Sequence, residues 1–314
     1  MNPVRRRLLA WVAITSSSLL ASPLFADEPG SNAPAPHSRS VVQTDATLKL
    51  VGDSYKFTEG PIADDDGNVY FTDQPNDRIV RYDAATGQLT DWMSPCGRSN
   101  GLDFIAPNQL IACADANNEL WSIDLRDQSH KVLIDSVDGR RFGGPNDCWV
   151  DADGAIYFTD PLYQRPYWNH KIPADNPRGV YRLSKDGKLT QVADDLVQPN
   201  GIIGDPENRQ LWIADIGDKK TYRYDIAEDG TLANRKLFCE MGSDGMTLDQ
   251  ERNLYLTGGA GVTVFDAGGN KLETIAVPKG WTANVTFGGT GHQELFITAQ
   301  DSVYTLPMRV SGLR

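Results

Sequence analysis

Six oxygen-bearing side chains recur along this chain at intervals of 40 to 54 residues: Glu59, Asn100, Asn146, Asn200, Asp244 and Asn284. Each opens one copy of a template: a polar residue, a short apolar strand, a turn and further strands. In a closed repeat, residues at one template position face a common axis, so these six form a ring. Polar residues at strand starts are common for reasons of turn geometry, and any one of them alone says little. Six together say more, because converging carboxylates and amides are costly to bury unless something satisfies them.

That donor set points to a hard cation. Carboxylate and amide oxygens suit Ca²⁺, which takes about 6 to 8 such ligands in flexible geometry. Glu59 and Asp244 bring two negative charges, matching a divalent ion. The ring contains no His or Cys, which makes Zn²⁺ and redox metals poorer fits, although Zn²⁺, Mg²⁺ and Mn²⁺ stay open. The four His residues, at 37, 130, 170 and 292, all miss the template position, and no Ser-His-Asp arrangement is visible.

The elements that must position the ring are legible as repeats. Second strands follow each start by 10 or 11 residues: VYFTD from Val69, IACAD from Ile111, IYFTD from Ile156, LWIAD from Leu211, LYLTG from Leu254 and LFITA from Leu295. Third strands come next, as in IVRYD from Ile79 and TYRYD from Thr221, and fourth strands in five copies, as in LTDWM from Leu89. Such short β-branched and aromatic runs, split by Asp-Gly and Gly-Asn turns, specify antiparallel sheets. The period and the strand count predict an all-β, six-bladed β-propeller with four-stranded antiparallel blades. The sixth copy has no fourth strand of its own, and LKLVGD (residues 48–53) is predicted to supply it from the N-terminal side, closing the ring.

Other acidic positions are better read as turns. Asp64-Asp65-Asp66-Gly67 and Asp151-Ala152-Asp153-Gly154 resemble the start of a Ca²⁺ loop but lack its closing Glu and fall on blade hairpins. Asp73, Asp115, Asp160 and Asp215 end second strands in register, where turn capping explains them. The third unit carries about 15 extra residues between its second and third strands. This tract, residues 161–178, contains Tyr163, Tyr167, Trp168, Asn169 and His170, a composition suited to a lid over sugar-like ligands. The plainer alternative is a surface loop packing its own aromatics.

Composition bounds the partners. The chain has 314 residues, 40% hydrophobic, with a formal net charge of −12, which argues against nucleic-acid binding. Residues 1–26 resemble an export signal, with Arg5, Arg6 and Arg7 before an apolar stretch too short for a membrane span and Ala26 at the cleavage point. Export to the periplasm or the medium is expected, with no span in the mature chain. Residues 27–44, rich in Pro, Ser and Ala, are read as a disordered tether, and residues 45–314 as the propeller. Export would permit disulfides among Cys96, Cys113, Cys148 and Cys239, but Cys113 and Cys148 lie in strand patterns as small buried residues.

The segments FTEGP from Phe57, RFGGPNDCWVDADGAIYFTDPLY from Arg141, PNGIIGDPENRQLWIADIG from Pro199, SDGMTLD from Ser243 and NVTFGG from Asn284 resemble the gluconolactonase family. That family includes regucalcin, the senescence marker protein, and is related to squid-type diisopropyl fluorophosphatase. The resemblance implies a six-bladed propeller with a divalent metal in its channel, held by Glu59, Asn146, Asn200 and Asp244. Asp244 is then also the proposed general base, with Asp147 the next candidate. Two departures bear on the substrate: Gly143-Gly144 precede Pro145-Asn146-Asp147, where Asn or Ser is frequent, and Leu162-Tyr163-Gln164 stands where Tyr-Gly is common. The activity implied is metal-assisted hydrolysis of a lactone, a sugar aldonolactone. Arg141, Asn100, Asn284 and Tyr163 are assigned to substrate binding, Arg141 for its several donors near the entrance. The rival readings are a phosphotriesterase-like hydrolase using the same metal and a non-catalytic, Ca²⁺-stabilised propeller that binds a partner.

Overall fold

The structure, a computed structural model, describes residues 40–313. The expected export signal and residues 27–39 of the expected tether lie outside the described residues. The apolar runs form six four-stranded antiparallel sheets, with one small extra hairpin of Ser136–Val137 and Arg140–Arg141. Two single-turn 3₁₀ segments, Gln74–Asn76 and Thr290–His292, are the helical elements among the described residues. No described helix is long and apolar enough to cross a membrane.

Each sheet is one blade. The innermost strands are Thr58–Ala63, Ser99–Ala106, Cys148–Val150, Pro199–Asp205, Met246–Leu248 and Asn284–Gly288. Each packs against the next in that order, and the sixth packs against the first, so the circle closes. Apolar residues of adjoining blades fill the wedges between them. Tyr70 and Ile79 of the first blade meet Leu102, Leu110 and Trp121 of the second. Ile111 and Leu120 of the second meet Phe158 and Tyr181 of the third across Phe142. Burying each large side chain in this way contributes about 1.5–3 kcal/mol.

The sixth blade is completed from the N-terminal side, as expected. Lys49–Gly52 pairs antiparallel with Ser302–Pro307, placing Lys49 opposite Thr305 and Leu50 opposite Tyr304. The packed chain also extends into the stretch read as a tether. Val41 is only 1% exposed, among Val262, Leu295 and Met308, and the backbone N–H of Arg309 donates to its carbonyl at 2.8 Å. A low-complexity composition hid one apolar residue that the sixth blade needed. The four cysteines are free and buried, with Cys113 and Cys148 inside the wedge between the second and third blades. The Asp-rich hairpins are turns: Asp64 Oδ1 accepts the N–H groups of Asp66 and Asn68 while Gly67 sits at φ 84°.

Candidate metal centre

Threonine hydroxyls bridge neighbouring blades at three of the ring's junctions. In VYFTD, IYFTD and LYLTG the Thr of the second strand donates across to the next blade. Thr72 Oγ1 reaches the carbonyl of Asn100 at 3.2 Å, Thr159 Oγ1 that of Asn200 at 2.8 Å, and Thr257 Oγ1 that of Ala283 at 2.8 Å. These bonds are buried, so each side chain ties the start of one inner strand to its neighbour. Close approach also demands small residues: Gly60, at φ 45°, has no room for a Cβ, which would lie 2.0 Å from the carbonyl oxygen of Asn100.

At the ring, Glu59, Asn100, Asn146, Asn200 and Asn284 are all buried, and Asp244 is partly so. Asn200 donates through Nδ2 to Asp244 Oδ1 at 2.8 Å and to the Tyr163 hydroxyl at 3.1 Å. The indole N–H of Trp281 donates to Asp244 Oδ2 at 2.6 Å. Asn200 Oδ1, by contrast, is buried and accepts no hydrogen bond. The side-chain amides of Asn100 and Asn146 likewise bond to no described residue. Asn284 shares the register, but its Oδ1 accepts from the N–H of Val285 at 2.7 Å.

The charges here are uncomfortable. The Glu59 carboxyl is held well above the usual carboxylate range, chiefly by burial and then by the nearby carboxylates of Asp244 and Asp147. The N–H of Gly60 and the Arg165 guanidinium only partly offset this. Asp244 is raised by burial too, against the hydrogen bonds from Trp281 and Asn200 and the charge of Arg165. Two carboxylates raised by burial and an unpartnered amide oxygen are the donor types that a hard divalent ion takes. Among the described residues no cluster of three or more His, Cys, Asp and Glu could hold a metal. This ring has two acids, and amide oxygens would complete its coordination.

The inner strands also line a cavity of about 260 Å³, with Leu102, Asp103, Asp147, Met246, Asn284 and His292 among its walls. Asp147 faces this cavity with its Oδ1 on the N–H of Cys148 at 3.0 Å, and burial pushes it up to about 7. Arg141 is exposed, donates to the carbonyl of Asn117 at 2.7 Å, and lines a surface hollow with His170 and Asn176 rather than the ring.

The insertion is both a self-packed loop and a cover. Leu162, Trp168 and Ile172 pack together, with Tyr167 against them. Tyr163 reaches the ring through Asn200, and its hydroxyl is pushed up to about 12 by burial and then by Asp244. Asp73 and Asp215 cap turns, as expected, accepting backbone N–H groups from residues 56–57 and 197–198. Asp115 departs from that pattern and anchors the insertion, accepting Arg165 Nε at 2.9 Å and the Tyr167 hydroxyl. Arg165 is the residue that sequence reasoning missed. Its position three residues beyond Leu162 in an irregular loop carries no periodic signal.

A family model described as the SMP-30/gluconolactonase/LRE-like region matches residues 57–301. The gluconolactonase of Zymomonas mobilis is 26% identical over 307 residues, covering 88% of this chain and 86% of that protein. Diisopropyl-fluorophosphatase of Loligo vulgaris is 29% identical over 265 residues, covering 73% and 81%. Among solved structures, a gluconolactonase from Xanthomonas campestris superposes with a TM-score of 0.79 at 29% identity, covering 85% of this chain and 91% of that one.

The threonine bridges give a direct stability test. Thr159 Oγ1 also accepts the N–H of Asp147 at 3.2 Å, so Thr159→Val leaves a buried carbonyl and a buried N–H without this hydroxyl. Urea unfolding should show a loss of about 1–3 kcal/mol, while Thr159→Ser should stay near the parent. An unchanged midpoint for Thr159→Val would mean that this bridge does not hold the third and fourth blades together.

Proposed function

The chain belongs to the SMP-30/gluconolactonase/LRE-like family, and from that premise we propose that it is a lactone hydrolase whose channel holds a divalent cation, Ca²⁺ by the chemistry of its donors. The observation that carries this reading is the pairing of Glu59 and Asp244, both raised by burial, beside the unpartnered Oδ1 of Asn200. Glu59, Asn146, Asn200 and Asp244 would hold the cation. When bound, it supplies a Lewis acid for the charge that develops on a lactone carbonyl oxygen.

The chain's own residues do the rest. Hydrolysis adds water across the acyl C–O bond of the lactone, giving a hydroxy acid. Asp244 takes a proton from the attacking water and returns it to the lactone's ring oxygen, which leaves as a hydroxyl as the acyl C–O bond breaks. Trp281 and Asn200 each hold one oxygen of Asp244, which fixes the plane of the carboxylate. Tyr163 and the insertion cover the mouth and limit water there. A sugar aldonolactone is the proposed substrate, since its hydroxyls match a mouth built of amides, tyrosines and an arginine.

A second reading, a phosphotriesterase-like hydrolase on the same cation, draws on the similarity to diisopropyl-fluorophosphatase. A panel of aldonolactones and aryl phosphotriesters, with and without chelator, separates the two. Lactone turnover should vanish with chelator and return with Ca²⁺. Glu59→Gln should recover part of its activity in excess cation, whereas Asp244→Asn should stay inactive with the site filled. Chelator-insensitive hydrolysis, or full activity of Asp244→Asn in excess Ca²⁺, would contradict these roles. Export is also proposed, on the pattern of Arg5–Arg7, the apolar stretch and Ala26. N-terminal sequencing of the mature protein should begin at Asp27, and an intact Met1 on the finished protein would contradict export with cleavage.

A further inference from the structure

The insertion in the third blade does more than cover the channel. Its foothold is specific. Gly143 and Gly144, the two glycines before the ring segment, leave the surface on which it rests. A Cβ on Gly144, whose φ is 120°, would lie 2.8 Å from Asp115 Oδ1 and 3.3 Å from Trp168 Cζ2. A Cβ on Gly143 would lie 3.0 Å from the Cα of Leu162. The backbone N–H of Gly143 is in turn tied to Asp160 Oδ2 at 2.8 Å.

Asp115 is the peg that holds the insertion down. It is 2% exposed and accepts Gln74 Nε2 at 3.1 Å, Arg165 Nε at 2.9 Å and the Tyr167 hydroxyl. Its carbonyl accepts the indole N–H of Trp168 at 2.6 Å. Arg98, on the loop before the second ring position, stacks over Tyr167 with its Cζ 4.3 Å from the ring centre.

Arg165 is therefore gripped on two sides. Nε is bonded to Asp115, and the guanidinium lies over the ring of Tyr163, Cζ 5.1 Å from its centre. Tyr163 is itself bonded to Asn200 of the metal centre. Both Nη groups of Arg165 are left without a described protein partner, although the side chain is only 24% exposed. Its stack on Tyr163, which is bonded to Asn200, sets the guanidinium beside the ring, and its charge opposes the upward shifts of Glu59 and Asp244. An arginine fixed at Nε and across its face, with its two outer nitrogens free, offers paired donors in one plane. Asp115 already compensates its charge, so adjacent neutral oxygens suit it as well as an anion does.

We propose that Arg165, held in place by Asp115 and Tyr163, is the specificity-determining residue that grips adjacent hydroxyl oxygens of a polyhydroxylated lactone while its carbonyl lies at the ring. Asp115 is a positioning residue that acts through Arg165. This inference rests on the lactone hydrolase reading and adds the chemical class that the mouth selects.

The test compares a hydroxylated aldonolactone with an unsubstituted γ-lactone in the same enzyme preparation, Ca²⁺-saturated. The ratio of the two kcat/KM values does not depend on the fraction of enzyme that is folded, so it reads recognition even in a weakened variant. In Arg165→Met the ratio should fall about tenfold or more, carried by KM for the hydroxylated lactone, as expected for lost hydrogen bonds to a charged donor. Arg165→Lys keeps the charge without the fork and should show the same shift in milder form. Asp115→Asn should move the ratio in the same direction by releasing the guanidinium. An unchanged ratio in Arg165→Met and Arg165→Lys, with both lactones hydrolysed by the parent chain, overturns the inference alone. A parent chain that hydrolyses neither lactone overturns the proposed function and this inference with it.

Discussion

Burying Glu59 and Asp244 near one another on the axis of a propeller costs free energy that a positive charge in the channel would recover. Removing a carboxylate from water costs several kcal/mol even after relaxation, and a second one nearby adds repulsion. The charge of Arg165 supplies part of the compensation. The hydrogen bonds from Trp281, Asn200 and Gly60 supply another part. The unpartnered Oδ1 of Asn200 shows that the polar accounting is still open at this point. A proposed divalent cation closes it and turns an unfavourable cluster into a binding site.

The surrounding structure serves to keep that cluster together. Six inner strands must approach the axis closely, which explains both the glycine after Glu59 and the threonines that bridge neighbouring blades. Wedges of apolar residues between blades prevent the strands from drifting apart. Ring closure by Lys49–Gly52 covers what would otherwise be an open edge on the sixth blade. Precision at the axis is thus distributed over the whole circle, and the insertion can vary the mouth without disturbing it.

Much of this was legible in the sequence because it repeats. The ring positions, the blade count and the N-terminal closure all follow from one template read six times, and the turn reading of Asp73 and Asp215 followed from register. What did not repeat was not legible. Arg141 is close in sequence to Asn146, yet the hairpin of Ser136–Val137 and Arg140–Arg141 carries it to a surface hollow. Asn284 occupies the ring register, but its side chain folds onto its own backbone. Asp115 looked like one more strand-end aspartate and became the anchor of a loop that starts 46 residues later, at Pro161. Arg165 could not be found without knowing how that loop folds back. The Gly143-Gly144 pair makes sense only once Leu162 and Trp168 are seen resting on it.

The central claim is that the carboxylates of the ring exist to hold a cation. Calorimetric titration of the chelator-treated protein with Ca²⁺ tests it without reference to any substrate. The account predicts saturable binding of one ion per chain, abolished in the Glu59→Gln/Asp244→Asn double variant and retained in Asn284→Ala. Absence of binding by the parent protein, or equal binding by the double variant, would contradict it.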